Sequence, residues 1–404
     1  MKVILITTIT PAAENIRGTS ALSYHLLVRR DEDIDVEIYS FNLNRLPEEK
    51  IHEVENEVHV RIHLLNVPKW MRWVEKPFML MVRVFMRYPF SSYLSLSDDV
   101  VAAIKAGHPD GIWIFGEEIA GIMSKFSEYK RVHMGPDSEA LYYYRMLGQR
   151  FVARNRNTLL RQMVMYPKYL RLERSYSVDD KAIYYVVGEA DAAFIKRMNP
   201  NCHSAFLRHP HYDVSTNKEI KFHTPIRLLI AGQNNYYMQQ EADTLVDVLV
   251  HSNDKAMKCS YVLTFLGKGW ERHADALKNS GWKVNHIAFA PNYKEEVMKH
   301  DIQITPISIG TGTKGKVLDA LANGLLVIGT PFAMENIAVE NDKSCIIYKE
   351  AKEVVDVLRQ IPAQREKFEQ MAVNGRNCVL EEHDRKKLSQ QLFETFASDG
   401  ISNK

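Results

Sequence analysis

The chain consists of two series of short apolar runs, each run separated from the next by a stretch long enough to form a helix. The first series is Val3–Thr8, Val36–Phe41, Val58–Asn66, Gly111–Phe115, Arg131–Met134 and Ala182–Val187, with a helix-like segment at Thr19–Arg29. The second is Ile226–Ala231, Tyr261–Leu266, Val284–Phe289, Ile302–Ile307 and Leu326–Gly329, with a helix candidate at Gln240–His251. The runs are rich in β-branched residues and bounded by turn residues. Strands that alternate with helices in this way argue for a parallel sheet covered by helices. Residues 213–225, DVSTNKEIKFHTP, are polar and without period, and they separate the two series. The expectation is an α/β protein of two Rossmann-like domains facing each other across a cleft. Residues 1–212 form the first and 213–383 the second. Residues 384–404 carry an amphipathic helix, Asp384–Phe396, that packs back on the N-terminal domain.

Composition narrows the function classes. A chain of 404 residues suits two domains at roughly 150 residues each. With 46% hydrophobic and 25% charged residues it is neither disordered nor fibrous. A net charge of +2 excludes a globally basic nucleic-acid coat. The four cysteines, Cys202, Cys259, Cys345 and Cys378, form no CxxC or CxxH pair, which argues against a zinc knuckle and fits a reducing, cytoplasmic compartment. The opening MKVILITTITPAA is too short and threonine-rich for a signal peptide and reads as a first buried strand. No run is long and apolar enough to cross a membrane.

The most informative segment is PISIGTGTKGKVLDALANGLLVIGTP, from Pro306 to Pro331. A buried strand enters a loop containing Gly310, Gly312 and Gly315. A helix then starts near Lys314 and ends at Gly324, a residue suited to the C-terminal cap. Glycines let the backbone approach an anion, and the free N–H groups and dipole of a helix start favour negative charge. Thr311 and Thr313 add hydroxyls, and Lys314 and Lys316 add cations. A diphosphate is the natural ligand; the alternative is a glycine-rich turn with two solvated lysines. Gly310-x-Gly312-x-x-Gly315 also matches the dinucleotide fingerprint, with Glu335 twenty residues on. That fingerprint belongs in the first βα turn of its domain. Here that turn is Gly232-Gln233-Asn234-Asn235, which lacks the pattern, so a dehydrogenase is the least favoured reading.

The second half resembles the GT-B glycosyltransferases of the large retaining group called group 1 or family 4. The likeness runs from IRLLIAGQ through FLGKGWERHADAL, WKVNHIAFAPNYKEEVMKHDIQITPISIGTGTKGKVLDALANGLLVIGTP and NGRNCVLEEHD, in the family's usual order. The resemblance implies a nucleotide-diphosphate sugar as donor. It places Asp319 at the carboxylate that receives the nucleotide ribose, and Lys314 and Lys316 at cations that neutralise the diphosphate. It puts Ala290–Asn292 at the base edge. Gly18, followed by Thr19, falls where family members carry a glycine near the donor phosphate. His133 and Asp137, in the run of residues 132–137, fall where they carry a donor-site histidine or aspartate.

Two departures stand out. The family's paired acidic positions are Thr311 and the shorter Asp319 here, and Gln233–Gln240 lacks the usual arginine and lysine. A subgroup shares both departures. A catalytically degenerate GT-B protein, binding a nucleotide sugar or a protein partner without turnover, is the alternative they keep open. A nucleotide-sugar epimerase would need an acidic and histidine cluster that the sequence does not assemble.

Sugar transfer needs a stabilised leaving diphosphate and a positioned acceptor. In the retaining enzymes resembled, the leaving phosphate helps take the acceptor's proton, so no metal and no separate cofactor is expected. The first-domain candidates are His133, which ends a strand but could be structural, and Asp137, which could instead cap the helix Ser138–Leu147. Glu335 could reach the donor sugar or start a helix. The doublets Asp98-Asp99 and Asp179-Asp180 read as helix starts or solvated faces.

Two stretches are strongly basic. Residues 61–90 carry six Lys or Arg against Glu75, interleaved with Trp70, Trp73, Phe78, Phe85, Tyr88 and Phe90. Residues 145–174 carry eight cations against Glu173. A basic face with aromatics suits an anionic membrane surface and would also suit nucleic acid, with a solvated helix face over a buried stripe as the alternative. The expected acceptor is a glycan or lipid-linked sugar, as in capsule, O-antigen or exopolysaccharide precursors, at the inner face of the cell membrane. No nucleic-acid partner is expected.

Overall fold

The computed structural model describes residues 1–15, 19–149, 156–214 and 219–397, without the side chains of Arg156 and Asn157. They form two compact units. Unit 1 is Met1–Pro210 together with the chain from Arg385, and unit 2 is His211–Asp384.

Unit 1 is built on seven strands: β1 (Lys2–Thr7), β2 (Asp35–Ser40), β3 (Arg61–Leu64), β4 (Gly111–Phe115), β5 (Lys130–Met134), β6 (Ala182–Val186) and β7 (His203–Phe206). All pair in parallel, in the order β3-β2-β1-β4-β5-β6-β7. β4, GIWIF, is buried along its whole length because helices cover both faces of the sheet. One face carries Val3, Leu5, Val36, Trp113 and Val132 against Leu22 and Leu26. The C-terminal helix, Arg385–Ala397, seals the same face with Leu388, Leu392, Phe393 and Phe396. Ser389 Oγ donates to the Leu26 carbonyl at 2.6 Å. Gly111 makes room for this helix, since a Cβ there would lie 2.1 Å from the Phe396 ring.

Unit 2 is built on six strands: β8 (Ile226–Ala231), β9 (Tyr261–Leu266), β10 (Lys283–Ile287), β11 (Ile302–Thr305), β12 (Leu326–Gly329) and β13 (Ile346–Ile347). They too are parallel, in the order β10-β9-β8-β11-β12-β13. Ile226, Leu228, Leu263 and Phe265 face one core, and Leu229, Ala231 and Val327 face the other. Helix Gly315–Ala322 covers the second face with Val317, Leu318 and Leu321.

Both sheets are doubly wound. The chain lays strands outward from β1 or β8, then returns to the other side of that strand. The switch points therefore lie between β1 and β4 and between β8 and β11, where α/β sheets bind ligands at the strands' carboxyl ends.

Three elements differ from the sequence reading. Val58 ends a helix, Glu48–Val58, which closes with His59 at φ 53°, and the strand follows only at Arg61. β7 and β13 were not anticipated. β7 is half-buried at a sheet edge and β13 has two residues, so neither carries a strong apolar run. No helix among the described residues is long and apolar enough to cross a membrane.

Candidate functional site

The first wall of the unit 2 site is the exit of β8. Gly232 (φ 123°) donates its N–H to the Leu266 carbonyl at 2.8 Å, and its own carbonyl accepts from Trp270 Nε1 at 2.7 Å. Gly267, at the exit of β9, sits at φ 139°, and a Cβ there would lie 2.3 Å from the Gly232 oxygen. The glycine after β9 is thus required by the close approach of two strand exits.

The exit of β11 forms the second wall. Ser308 ties the loops together: its N–H donates to the Tyr237 carbonyl at 2.7 Å, and its Oγ accepts from Glu241 N at 3.0 Å. Lys314 Nζ folds back to donate to the carbonyls of Thr311 (2.6 Å) and Gly312 (2.9 Å). Asn336 Nδ2 donates to the same Gly312 carbonyl at 2.9 Å, so the segment that carries Glu335 borders the loop. Gly310, Thr311 and Gly312 are buried in this turn, while Thr313 and Glu335 are half-buried.

Helix Gly315–Ala322 starts directly after the loop and has no side-chain cap. Its first-turn amides and dipole favour an anion there. Gly324 follows its end at φ 82°. Lys316 passes beside Gly232: a Cβ on that glycine would lie 3.7 Å from its Cδ and Cε. The Lys316 ammonium lies 4.4 Å from the centre of the Tyr293 ring. Partial enclosure lowers its pKa from the ordinary lysine value, and the Asp319 carboxylate opposes that shift.

Asp319 stands three residues on from Lys316, on the same helix face. His211 Nε2 lies 3.2 Å from Asp319 Oδ1. The His211 ring packs on Tyr212, with 4.0 Å between centroids. Tyr212 accepts from Asn323 Nδ2 at 3.0 Å and carries the Lys294 ammonium 3.6 Å over its ring. Burial, then Asp319, raises the Tyr212 hydroxyl above the usual phenol range. Asn292 caps the neighbouring helix, Tyr293–Val297, accepting from Glu295 N at 3.2 Å. Lys314, Lys316, uncapped amides and one carboxylate thus meet at the switch point of unit 2. Such a set can bind a polyanion and orient a hydroxyl beside it.

Residues 248–394 match a sequence family described as glycosyl transferase-like. No curated protein matches the chain. Among solved structures, HepE of Anabaena in complex with UDP superposes with a TM-score of 0.60 at 11% identity, covering 98% of this chain and 100% of that one. WaaG, a glycosyltransferase involved in lipopolysaccharide biosynthesis, gives 0.60 at 13% identity, covering 98% and 100%. TarM of S. aureus, in a complex that includes UDP, gives 0.62 at 9% identity, again covering 98% and 100%. At such identities the likeness is one of fold.

The chain has the GT-B fold.

The sequence-derived residues divide between the units of this GT-B chain. Gly232, Gly310, Thr311, Gly312, Thr313, Lys314, Lys316, Asp319 and Glu335 gather around the exits of β8 and β11. Gly18 lies outside the described residues. His133 and Asp137 belong to unit 1, on β5 and just after it. His133 is 2% exposed. Its Nε2 bonds the Gly116 carbonyl at 2.9 Å, and its ring sits against Tyr176 and Tyr184. Burial holds its pKa down to about 4, so it is a neutral imidazole. Asp137 is half-buried. The cap of the following helix, Glu139–Leu147, is Ser138, whose Oγ accepts from Leu141 N at 3.1 Å.

Sequence reasoning missed a set of carboxyl groups around Asp137. Glu117 and Glu118 follow β4, while Glu139 and Glu173 pack nearby. Burial, then Glu139 and Asp137, raises Glu117 well above the carboxylate range. Burial, then Asp137, pushes Glu139 up to about 8. Glu173 is pushed up to about 7 by burial, although it accepts from Ser138 Oγ and Ala140 N. Tyr169 donates to Glu118. Clustered carboxyl groups that hold protons near neutral pH at the carboxyl end of a sheet are a functional signal. The available clue was the Glu117-Glu118 doublet, one glycine after a strand ending in Phe115. By contrast, Asp98-Asp99 opens a helix, and Asp179 pairs with Arg131 at 2.5 Å.

A separate cavity of about 710 Å³ in unit 2 is lined by Arg227, Lys278, His286, Lys299 and His300 among others. Its lining runs from Arg227, near the start of β8, to His286, whose Nε2 lies 2.9 Å from the Gly267 carbonyl oxygen.

Proposed function

We propose that the chain is a retaining glycosyltransferase that moves a sugar from a nucleoside-diphosphate sugar to an acceptor hydroxyl without a metal. The observation that carries this reading is the pairing of Lys316 and Asp319, one turn apart, on an uncapped helix start at the switch point of unit 2. In this reading the diphosphate sits on the loop amides from Gly310 to Gly315. Lys314 and Lys316 offset its charge, and Asp319 accepts a ribose hydroxyl. Gly232 allows close approach, Thr311 and Thr313 add hydroxyl contacts, and Glu335 receives the sugar. UDP is the first nucleotide to test, because HepE and TarM were solved with it.

The sugar C1–O bond to the diphosphate breaks as a C1–O bond to the acceptor forms on the same face. The acceptor's proton goes to the leaving phosphate oxygen. Lys316 stabilises the negative charge that develops on that group, as preorganised cations do. Asp137, with Glu117 and Glu139, offers carboxyl oxygens for acceptor hydroxyls. His133 acts as a positioning residue. It holds the Gly116 carbonyl and thereby the turn that carries Glu117. The acceptor is a glycan or lipid-linked sugar precursor, glycosylated on the cytoplasmic side.

Thr311 and the cation-free stretch Gln233–Gln240 favour a second reading, nucleotide-sugar binding without turnover. A thermal-shift screen with UDP, GDP and ADP, followed by a UDP-sugar hydrolysis assay, decides between them. Stabilisation by one diphosphate together with donor turnover supports the transferase. Stabilisation without any turnover favours the binding protein. No stabilisation at millimolar diphosphate removes both.

A further inference from the structure

We propose that residues 64–87 of unit 1 form a docking surface for a bilayer that carries anionic lipids. Eight of the fifteen exposed large hydrophobic residues among the described residues fall between Leu64 and Phe85. The segment folds into two six-residue helices, Lys69–Val74 and Leu80–Phe85, joined by the turn Pro77–Met79. The first buries only Met71 and Val74, and the second buries nothing. Phe78 is 67% exposed and Phe85 is 80% exposed. An apolar patch of this kind marks an interaction surface rather than a packing accident.

The charges around the patch name the occupant. Lys69, Arg72, Lys76 and Arg87 are exposed and Arg83 is half-buried, against the single acid Glu75. Two more cations hold the segment in place: Lys168 donates to the Arg83 carbonyl, and Arg171 Nη1 donates to the Arg87 carbonyl at 2.6 Å. Exposed aromatic and aliphatic tips interleaved with lysine and arginine match the chemistry of a bilayer, which offers acyl chains and anionic headgroups. Leu80, Met81 and Val82 stand beside the aromatics and offer no stacking surface, which disfavours single-stranded nucleic acid. This surface is independent of the transferase reading.

The chain carries its own reporter. Trp113, Trp270 and Trp282 are buried, whereas Trp70 and Trp73 are exposed. Tryptophan emission of the full chain is titrated with phosphatidylcholine vesicles, with and without about a third phosphatidylglycerol. A blue shift and quenching by brominated lipid are expected with the anionic vesicles only, weakening as salt rises. Replacing Phe78 and Phe85 together by serine lowers the partition coefficient at least about tenfold. Reversing Lys69, Arg72 and Lys76 to glutamate does the same. None of these residues is buried, so far-UV circular dichroism and the UDP-induced thermal shift remain as in the wild type. Three outcomes overturn the proposal: no shift at millimolar lipid, equal partitioning into uncharged vesicles, or protection of Trp70 and Trp73 by self-association without lipid. Vesicle binding with no nucleotide binding upholds this surface and removes the transferase reading. Nucleotide binding without vesicle binding does the reverse.

Discussion

His211 Nε2 lies 3.2 Å from Asp319 Oδ1, which fixes the carboxylate one turn past Lys316 and leaves its second oxygen without a partner among the described residues. A carboxylate held by one oxygen can receive a hydroxyl on the other without reorganising.

Replacing either residue on this helix face therefore weakens nucleotide binding. Lys316→Ala removes a charge-assisted contact, and UDP affinity falls roughly 10- to 100-fold. Asp319→Ala removes the ribose acceptor and costs about tenfold. Isothermal titration calorimetry on folded variants checks both. Wild-type affinity in Lys316→Ala would remove the cation from the donor site.

Gly267→Ala tests the junction of the two strand exits. The new Cβ would meet the Gly232 carbonyl at 2.3 Å, in a backbone conformation that L side chains rarely adopt. The expected loss is about 3 kcal/mol of stability. Nucleotide affinity falls with it, because Gly232 must move. Denaturant titration gives the first quantity and calorimetry the second.

The unit 1 carboxyl groups set a pH dependence. Glu139 and Glu173 bind protons more tightly in the folded chain, pushed up to about 8 and about 7 from an ordinary 4.5. Their stabilising contribution is complete below about 4.5 and is lost as pH rises through those folded values. The melting temperature of unit 1 falls across that window. Glu139→Gln keeps the shape without the charge and flattens the fall above about pH 7. A melting temperature that rises with pH across the window would contradict the assignment.

The C-terminal helix is part of the unit 1 core. Phe393 is 1% exposed and meets Trp113 edge-on at 6.1 Å. Phe393→Ala costs about 3–5 kcal/mol. Equilibrium unfolding followed by near-ultraviolet circular dichroism of Trp113 measures it. A loss below about 1 kcal/mol would show that the helix undocks readily.

The strand–loop–helix grammar was legible in the chain because run length, helical period and glycine punctuation are local properties. β4, β8, β9 and β12 begin and end where their apolar runs do. The three-residue spacing of Lys316 and Asp319 puts them on one helix face wherever that helix lies. Partners set by distant residues were not legible. Glu139 and Glu173 look like any surface acids until β4, β5 and helix Arg156–Arg174 fold around them and remove their water. Gly267 is one glycine among nineteen until β9 lies beside β8. Strand order was decided only in three dimensions, since pairing depends on what the rest of the chain leaves open. The same holds for the apolar residues between Leu64 and Phe85. Burial belongs to a pair of surfaces, and a sequence describes one surface at a time.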